Sequence, residues 1–178
     1  MAHRIESTDT MFSARGMTPW HGLGTVVQDA PSIPEAIKLA GLDWQVEAQP
    51  NYTMVNGVPT PTPSQSIIRV DHDGKRSVVA SVGPGYSPLQ NDKAFAWFGP
   101  WLDSGKLTLE TAGSLEGGRK VWILAKISGD PIKVKGDDVV EKYVLLAHAH
   151  DGTLAVRAGL TPIRVVCWNT LSAAIGAN

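Results

Sequence analysis

The sequence predicts an α+β fold, a curved and mainly antiparallel sheet covered by a few helices. Short alternating apolar segments are joined through hairpin-type turns, above all Asp73-Gly74 and Gly117-Gly118. Two or three short segments carry helix caps, and repeated strand–helix–strand crossovers, the mark of a parallel sheet, are absent. The 178 residues include 18 Gly and 12 Pro without a collagen period, which suits many turns between short strands. A 43% hydrophobic content suffices for a core, and one domain over residues 1–178 is expected.

Taken in order, Met1 to Ser13 is polar and reads as an arm. Arg15 to Val27 sets Trp20, His21 and Leu23 among Gly16, Gly22 and Gly24, a tight turn that Trp20 anchors by burial. Ser32 to Leu42 is a short helix, with Ser32 and Glu35 in capping-box spacing, an apolar side of Ile33, Ala36, Ile37 and Ala40, and Gly41 as the stop. Asp43 to Val46 and Tyr52 to Val55 are extended. Val55 to Ser64 combines an Asn56-Gly57 turn signal with alternating Pro59, Pro61 and Pro63, and is expected as an exposed turn or polyproline stretch.

Ile67 to Val70 and Ser77 to Val82 form a hairpin whose tip holds His72, Lys75 and Arg76. Asn91 caps a helix bearing Phe95, Trp97 and Phe98, which Gly99-Pro100 ends. Leu107 to Ala112 alternates as a strand, and Val121 to Ile127 is apolar on both faces, so both are covered. After the charged interval Pro131 to Asp138, Lys142 to Ala149 is a strand, and Thr153 to Ala158 pairs back beyond Asp151-Gly152. Finally, Arg164 to Trp168 reads as a strand that runs into a helix capped by Asn169.

Sixteen Lys and Arg against seventeen Asp and Glu leave a net charge of -1, without the basic field of a tight nonspecific duplex binder. Cys167, the only cysteine, excludes an intrachain disulfide and lies between Val166 and Trp168 as a buried structural thiol. The N-terminus lacks an apolar run of signal-peptide length, and no segment reaches the ~18 apolar residues of a membrane span. A soluble, cytoplasmic protein without a membrane partner is expected.

Candidate chemistry is sparse. His148 and His150 share a strand face, but the spacing of a third ligand is missing. No GxSxG, HExxH, dinucleotide or phosphate-loop motif occurs, so no catalytic residue, metal or cofactor is assigned. Arg69, Lys75, Arg76, Arg119, Lys120 and Arg164 suggest a cationic stripe for phosphates, with Trp20 or Tyr86 to stack a base. That division of labour suits single-stranded DNA. The alternative is a protein-interaction or assembly surface centred on exposed aromatic residues such as Trp97 and Trp101.

GMTPWHGLGTVV, VGPGYSPLQNDKAFAWF, AGSLEGGRKVWILAKI and GLTPIRVVCWNTLSAA together resemble the phage- and plasmid-associated family described as domain of unknown function 932. Thr161, Pro162, Arg164, Val166, Cys167, Asn169, Thr170 and Leu171 fit its pattern, while Trp168 stands where a small residue is expected. Longer family members imply that this chain is the N-terminal portion of a larger protein or a short form. The resemblance implies a mobile-element protein acting in an infected bacterial host. A remote likeness to single-strand annealing proteins implies a homo-oligomer that holds and anneals single-stranded DNA. A host or phage protein as partner, including a defence complex to be inhibited, is the alternative.

Overall fold

The computed structural model describes residues 4–6, 9–135 and 138–176, with side chains omitted at 134, 135 and 138. Eleven strands and four helices are present among them. β1 (Met11–Ser13), β2 (Thr25–Val26), β6 (Leu107–Leu115), β7 (Lys120–Ile127), β10 (Tyr143–Ala149) and β11 (Arg157–Thr161) form a six-stranded sheet in the order β11-β10-β7-β6-β1-β2. Only the β1–β2 pair is parallel. β3 (Gln45–Val55), β4 (Val58–Val70) and β5 (Arg76–Val82) make a second, antiparallel sheet, and β8 (Ile132–Lys135) with β9 (Asp138–Val140) a third of two strands.

The α+β class and the antiparallel pairing match the sequence reading, but the expected single curved sheet is corrected. Three sheets form, and they are open, neither curled nor closed. The six-stranded sheet ends on β11 and on the two-residue β2, so no pairing joins its edges. The chain from Gln45 to Val82 pairs within itself instead of extending that sheet.

β7 shows how the two-faced pattern builds the core. Val121, Ile123 and Ala125 point to one side, into a cluster with Phe12, Phe95, Phe98, Trp44 and Ile67. α1 (Ile33–Leu39), α2 (Asn91–Ala96) and the three-stranded sheet cover that side. Trp122 and Leu124 point to the other, against Leu145, Val165, Cys167 and Leu171, where α4 (Trp168–Ile175) lies. The main-chain N–H and the hydroxyl of Ser32 meet the Glu35 carboxylate at 2.9 and 2.6 Å, as the capping-box spacing requires.

Several local expectations change. The second half of the polar arm is an inner strand, β1, with Met11 and Phe12 buried between β6 and β2; residues 1–3, 7 and 8 lie outside the described residues. Gly99-Pro100 opens α3 (Gly99–Asp103) rather than ending helical structure, because proline at a first turn forfeits no intrahelical bond. Part of the Pro131 to Asp138 interval pairs as β8 and β9. Arg164 to Trp168 joins no ladder: Thr111 Oγ1 donates to Val165 O at 2.7 Å, and Thr170 Oγ1 accepts from the N–H groups of Val166 and Cys167. Cys167, buried, is therefore the N-cap of α4 in place of Asn169. No helix among the described residues is long and apolar enough to cross a membrane.

Candidate functional site

An exposed two-stranded feature comes from the stretch expected as a turn. β4 pairs with β5 only from Gln65 to Val70, whereas its pairing with β3 runs on to Val58 and Val55. Beyond β5 the hairpin is thus a two-stranded ribbon. Asn56 (φ 50°) and Gly57 (φ 78°) close it, the two positive φ values that a two-residue hairpin turn needs.

Proline is tolerated in this ribbon because of where its missing N–H falls. Val55 and Val58 flank the two-residue turn and exchange the first pair of main-chain bonds, so the nitrogens of Pro59 and Pro61 point outward. β5 does not reach that edge, and these prolines deny it to any other strand. On the opposite edge, the main-chain groups of Tyr52 and Met54 face outward by the same alternation and meet no partner among the described residues. Farther back, the Gln90 side chain occupies this edge, accepting from Val46 N at 3.0 Å and donating to Val46 O at 2.8 Å.

Register assigns the ribbon's faces. Tyr52 stands opposite Pro61 and Met54 opposite Pro59 on one face, while Thr53–Thr60 and Val55–Val58 occupy the other. Tyr52 is 61% exposed and Met54 64%. From Ala48 to Ile68 there is no charged residue. At the root, Asn51 interrupts the β3 register, and its amide joins Ser64 (3.0 Å) and Ser66 (2.6 Å), holding the ribbon to the body.

The cations singled out from sequence do not form one stripe. Arg69, Lys75 and Arg119 line a groove of about 280 Å³, together with Glu6, Asp71 and Glu116. Within it Arg69 is bound to Asp71 at 2.6 Å and lies over the Trp44 ring. Arg76 is ion-paired to Glu47. Lys120 is buried against Glu116 (2.6 Å) and Asp151 (3.5 Å), and with Arg4 it flanks the Trp168 ring. The Lys120 and Arg4 cations hold the Glu116 carboxyl below its usual range against the opposing effect of burial, which is the largest single influence on it.

Arg164 is likewise committed. Its Nε donates to Glu110 Oε1 at 2.7 Å and its Nη2 to Ser13 Oγ at 2.7 Å. Arg15 grips the same carboxylate through two bonds of 2.7 and 2.8 Å, and Glu110 is 1% exposed. The triad ties β1 and β6 to the segment before α4. Of the aromatic candidates, Tyr86 donates its hydroxyl to Ala149 O at 2.8 Å and packs on the core. Trp20 is exposed, not buried, and meets His21 edge-on.

His148 and His150 do share a face, with ring centroids 4.8 Å apart, and both are buried. His150 Nε2 lies 3.2 Å from Asn91 Oδ1, and Asn91 donates its amide to Leu42 O. Neither nitrogen of His148 has a partner among the described residues. Burial lowers its pKa to about 4, and that of His150, beside it, to about 3. No three His, Cys, Asp or Glu side chains converge as a metal set among the described residues.

A family model described as "Domain of unknown function (DUF932)" matches residues 78–178, more than half of the chain. The chain belongs to the DUF932 family. The match runs from within β5 through α4 and excludes the β3–β4 ribbon, so in this DUF932 chain the ribbon is outside the part that the family model describes. No curated protein and no solved structure matches the chain.

Sequence reasoning missed Tyr52, Met54, Pro59 and Pro61 as a group. The signal available was the uncharged run from Ala48 to Ile68 and the alternation of proline with threonine, a period-two pattern.

Proposed function

We propose that this DUF932 chain is a protein-interaction and assembly module whose contact element is the β3–β4 ribbon. One observation carries the reading: the ribbon projects past β5, is uncharged, and presents Tyr52, Met54, Pro59 and Pro61 on one exposed face. Aromatic and Met side chains are favoured at the centres of protein interfaces, and a ribbon without cations cannot neutralise phosphates. The mobile-element setting implied by the family resemblance accommodates such a module, and no catalytic role is proposed for it.

Single-stranded DNA binding retains one supporting observation, the convergence of Arg69, Lys75 and Arg119 on a groove. Against it, the same groove carries Glu6, Asp71 and Glu116, Lys120 is bound to that same Glu116, and Arg164 is bound to Glu110.

The test is a photo-crosslinking residue at Met54, with the exposed Lys38 position as control. A discrete protein adduct formed from position 54, lost in a Tyr52→Lys background and absent from position 38, supports the reading. Adducts to nucleic acid, or equal labelling from both positions, refute it. In parallel, tight binding of labelled single strands at physiological salt that requires Lys75 and Arg119 favours the DNA reading.

A further inference from the structure

We infer that Asn56, at the tip of the ribbon, is a site of spontaneous covalent modification: the Gly57 nitrogen attacks its carboxamide, ammonia leaves, and water opens the resulting ring to an aspartate or isoaspartate. This chemistry needs no partner, so it proceeds whether or not the ribbon is a contact element. The bond that forms joins Gly57 N to Asn56 Cγ, and the bond that breaks is Cγ–Nδ2. The Gly57 N–H proton passes to a base, and Nδ2 departs as ammonia with a proton from water. Water then adds to one of the two carbonyl carbons of the succinimide. Cleavage at Cγ leaves an aspartate; cleavage at the main-chain carbonyl carbon leaves an isoaspartate, whose main chain runs on through Cβ and Cγ.

Three pairs in the sequence set an Asn or Asp before glycine: Asn56-Gly57, Asp73-Gly74 and Asp151-Gly152. Glycine is needed because a side chain on the attacking residue crowds its nitrogen. The two aspartates are held. Asp73 Oδ1 accepts from Lys75 N at 3.0 Å, and Asp151 accepts from the main chain and hydroxyl of Thr153 and meets Lys120 at 3.5 Å. A carboxylate is also a poorer electrophile than a carboxamide. Asn51, Asn91 and Asn169 are followed by Tyr52, Asp92 and Thr170, and the first two spend their amides on hydrogen bonds.

Asn56 has none of these restraints. Neither its side chain nor the Gly57 N–H makes a hydrogen bond among the described residues. Both residues are exposed, and nothing lies within 4 Å of where a Cβ would stand on Gly57, so water and base reach the turn. Ring closure requires the Asn56 backbone to leave its turn conformation, φ 50°, and bring the Gly57 nitrogen onto Cγ. The tip opens locally, because β5 pairs with β4 no nearer to it than Gln65 and a bare two-stranded hairpin is only marginally stable. The product carries the only charge between Ala48 and Ile68, two residues from Met54. An isoaspartate also lengthens the main chain of a two-residue turn, which disrupts the Val55–Val58 pair.

Incubation of the full chain at about pH 8 and about pH 6, in buffer and in urea, with peptide mapping by mass spectrometry, tests this. The expected result is a gain of about 1 Da confined to position 56, faster at the higher pH because the attacking nitrogen must lose its proton. In the folded chain the gain is expected to be no more than ~100-fold slower than in urea, since only the tip has to open. Asn56→Gln removes it, because the longer side chain closes its ring far more slowly. Asn56 left intact in the folded chain after the urea sample has converted shows that the turn locks the carboxamide and overturns the inference. Equal conversion at Asn51 or Asn91, or a gain that survives Asn56→Gln, overturns it too. The mass is read on the chain alone, so none of these results bears on the crosslinking test of the ribbon.

Discussion

Acidification from pH 7 to pH 5 is expected to cost this protein about 4 kcal/mol through two histidines. His148 and His150 are 2% and 0% exposed, and burial lowers their pKa values from 6.5 to about 4 and about 3. For His150 a charge on His148 would push further the same way, and the nearby Asp151 opposes. In the fold both rings are neutral at pH 7, while in the unfolded chain each takes a proton near pH 6.5. Stability is therefore complete above that pH. It falls as pH drops below 6.5, because only the unfolded state binds the protons, and the loss ends near the folded values. Each histidine contributes about 1.4 kcal/mol per pH unit in this window, hence about 2 kcal/mol between pH 7 and pH 5. Against a typical total of about 5–15 kcal/mol this is a large share. Urea midpoints at pH 7, 6 and 5 measure it for the wild type and for His148→Leu, which also removes two unpartnered nitrogens. Subtracting the two cancels the carboxylates and the remaining histidines. The variant is expected to gain about 2 kcal/mol on the wild type between pH 7 and pH 5. A difference that does not change with pH means that His148 protonates in the fold as readily as out of it, which refutes the burial argument.

Three further outcomes follow from contacts elsewhere. Glu110→Gln leaves Arg15 and Arg164 facing a neutral amide in a site where the carboxylate was 1% exposed; a loss of about 3–5 kcal/mol in denaturant unfolding is expected. Gly113→Ala places a methyl group 2.6 Å from Thr10 O, Met11 Cβ and the Trp122 ring, so β1 has to move off β6, and a loss of about 1–3 kcal/mol is expected in the same assay. Cys167, 2% exposed beneath Leu171, is expected to react with a thiol reagent only as fast as the domain opens; labelling at the rate of a free thiol contradicts the packing of α4.

The elements read correctly from sequence were those whose causes are local. Ser32, Glu35 and Gly41 lie within ten residues and start and stop α1 between them. Asp73-Gly74 turns β4 into β5, with Gly74 at φ 81°, and the alternation in β7 divides cleanly between the two clusters. The failures have distant causes. Pro59, Pro61 and Pro63 argue against a strand until it is known that β5 stops short of them, and nothing nearby in sequence says where β5 stops. Met11 and Phe12 sit among polar neighbours, yet β6, about a hundred residues on, makes them an inner strand. Val165 and Val166 have the composition of a strand, but hydroxyls of Thr111 and Thr170 take main-chain groups that a ladder would have used.

The same asymmetry governs the surface. A net charge of -1 excludes a strong basic field, but it says nothing about which cations remain available to a ligand. Arg164 and Lys120 looked available because their partners, Glu110, Glu116 and Asp151, stand on other strands or beyond a turn; once the sheet forms they are internal counter-ions. Lys75 and Arg119 keep their side chains free of hydrogen bonds among the described residues, but they share their groove with three carboxylates. Cancellation of charge thus proceeds largely inside the fold, and of the cationic candidates it leaves Lys75 and Arg119 in a mixed-charge groove. The ribbon is the extreme case, since it has no charge to cancel, and its prolines close one edge while its Tyr52–Met54 edge stays open. A chain with one closed and one open edge on the same projecting hairpin restricts how a partner can approach, since strand addition is open only along the Tyr52–Met54 edge.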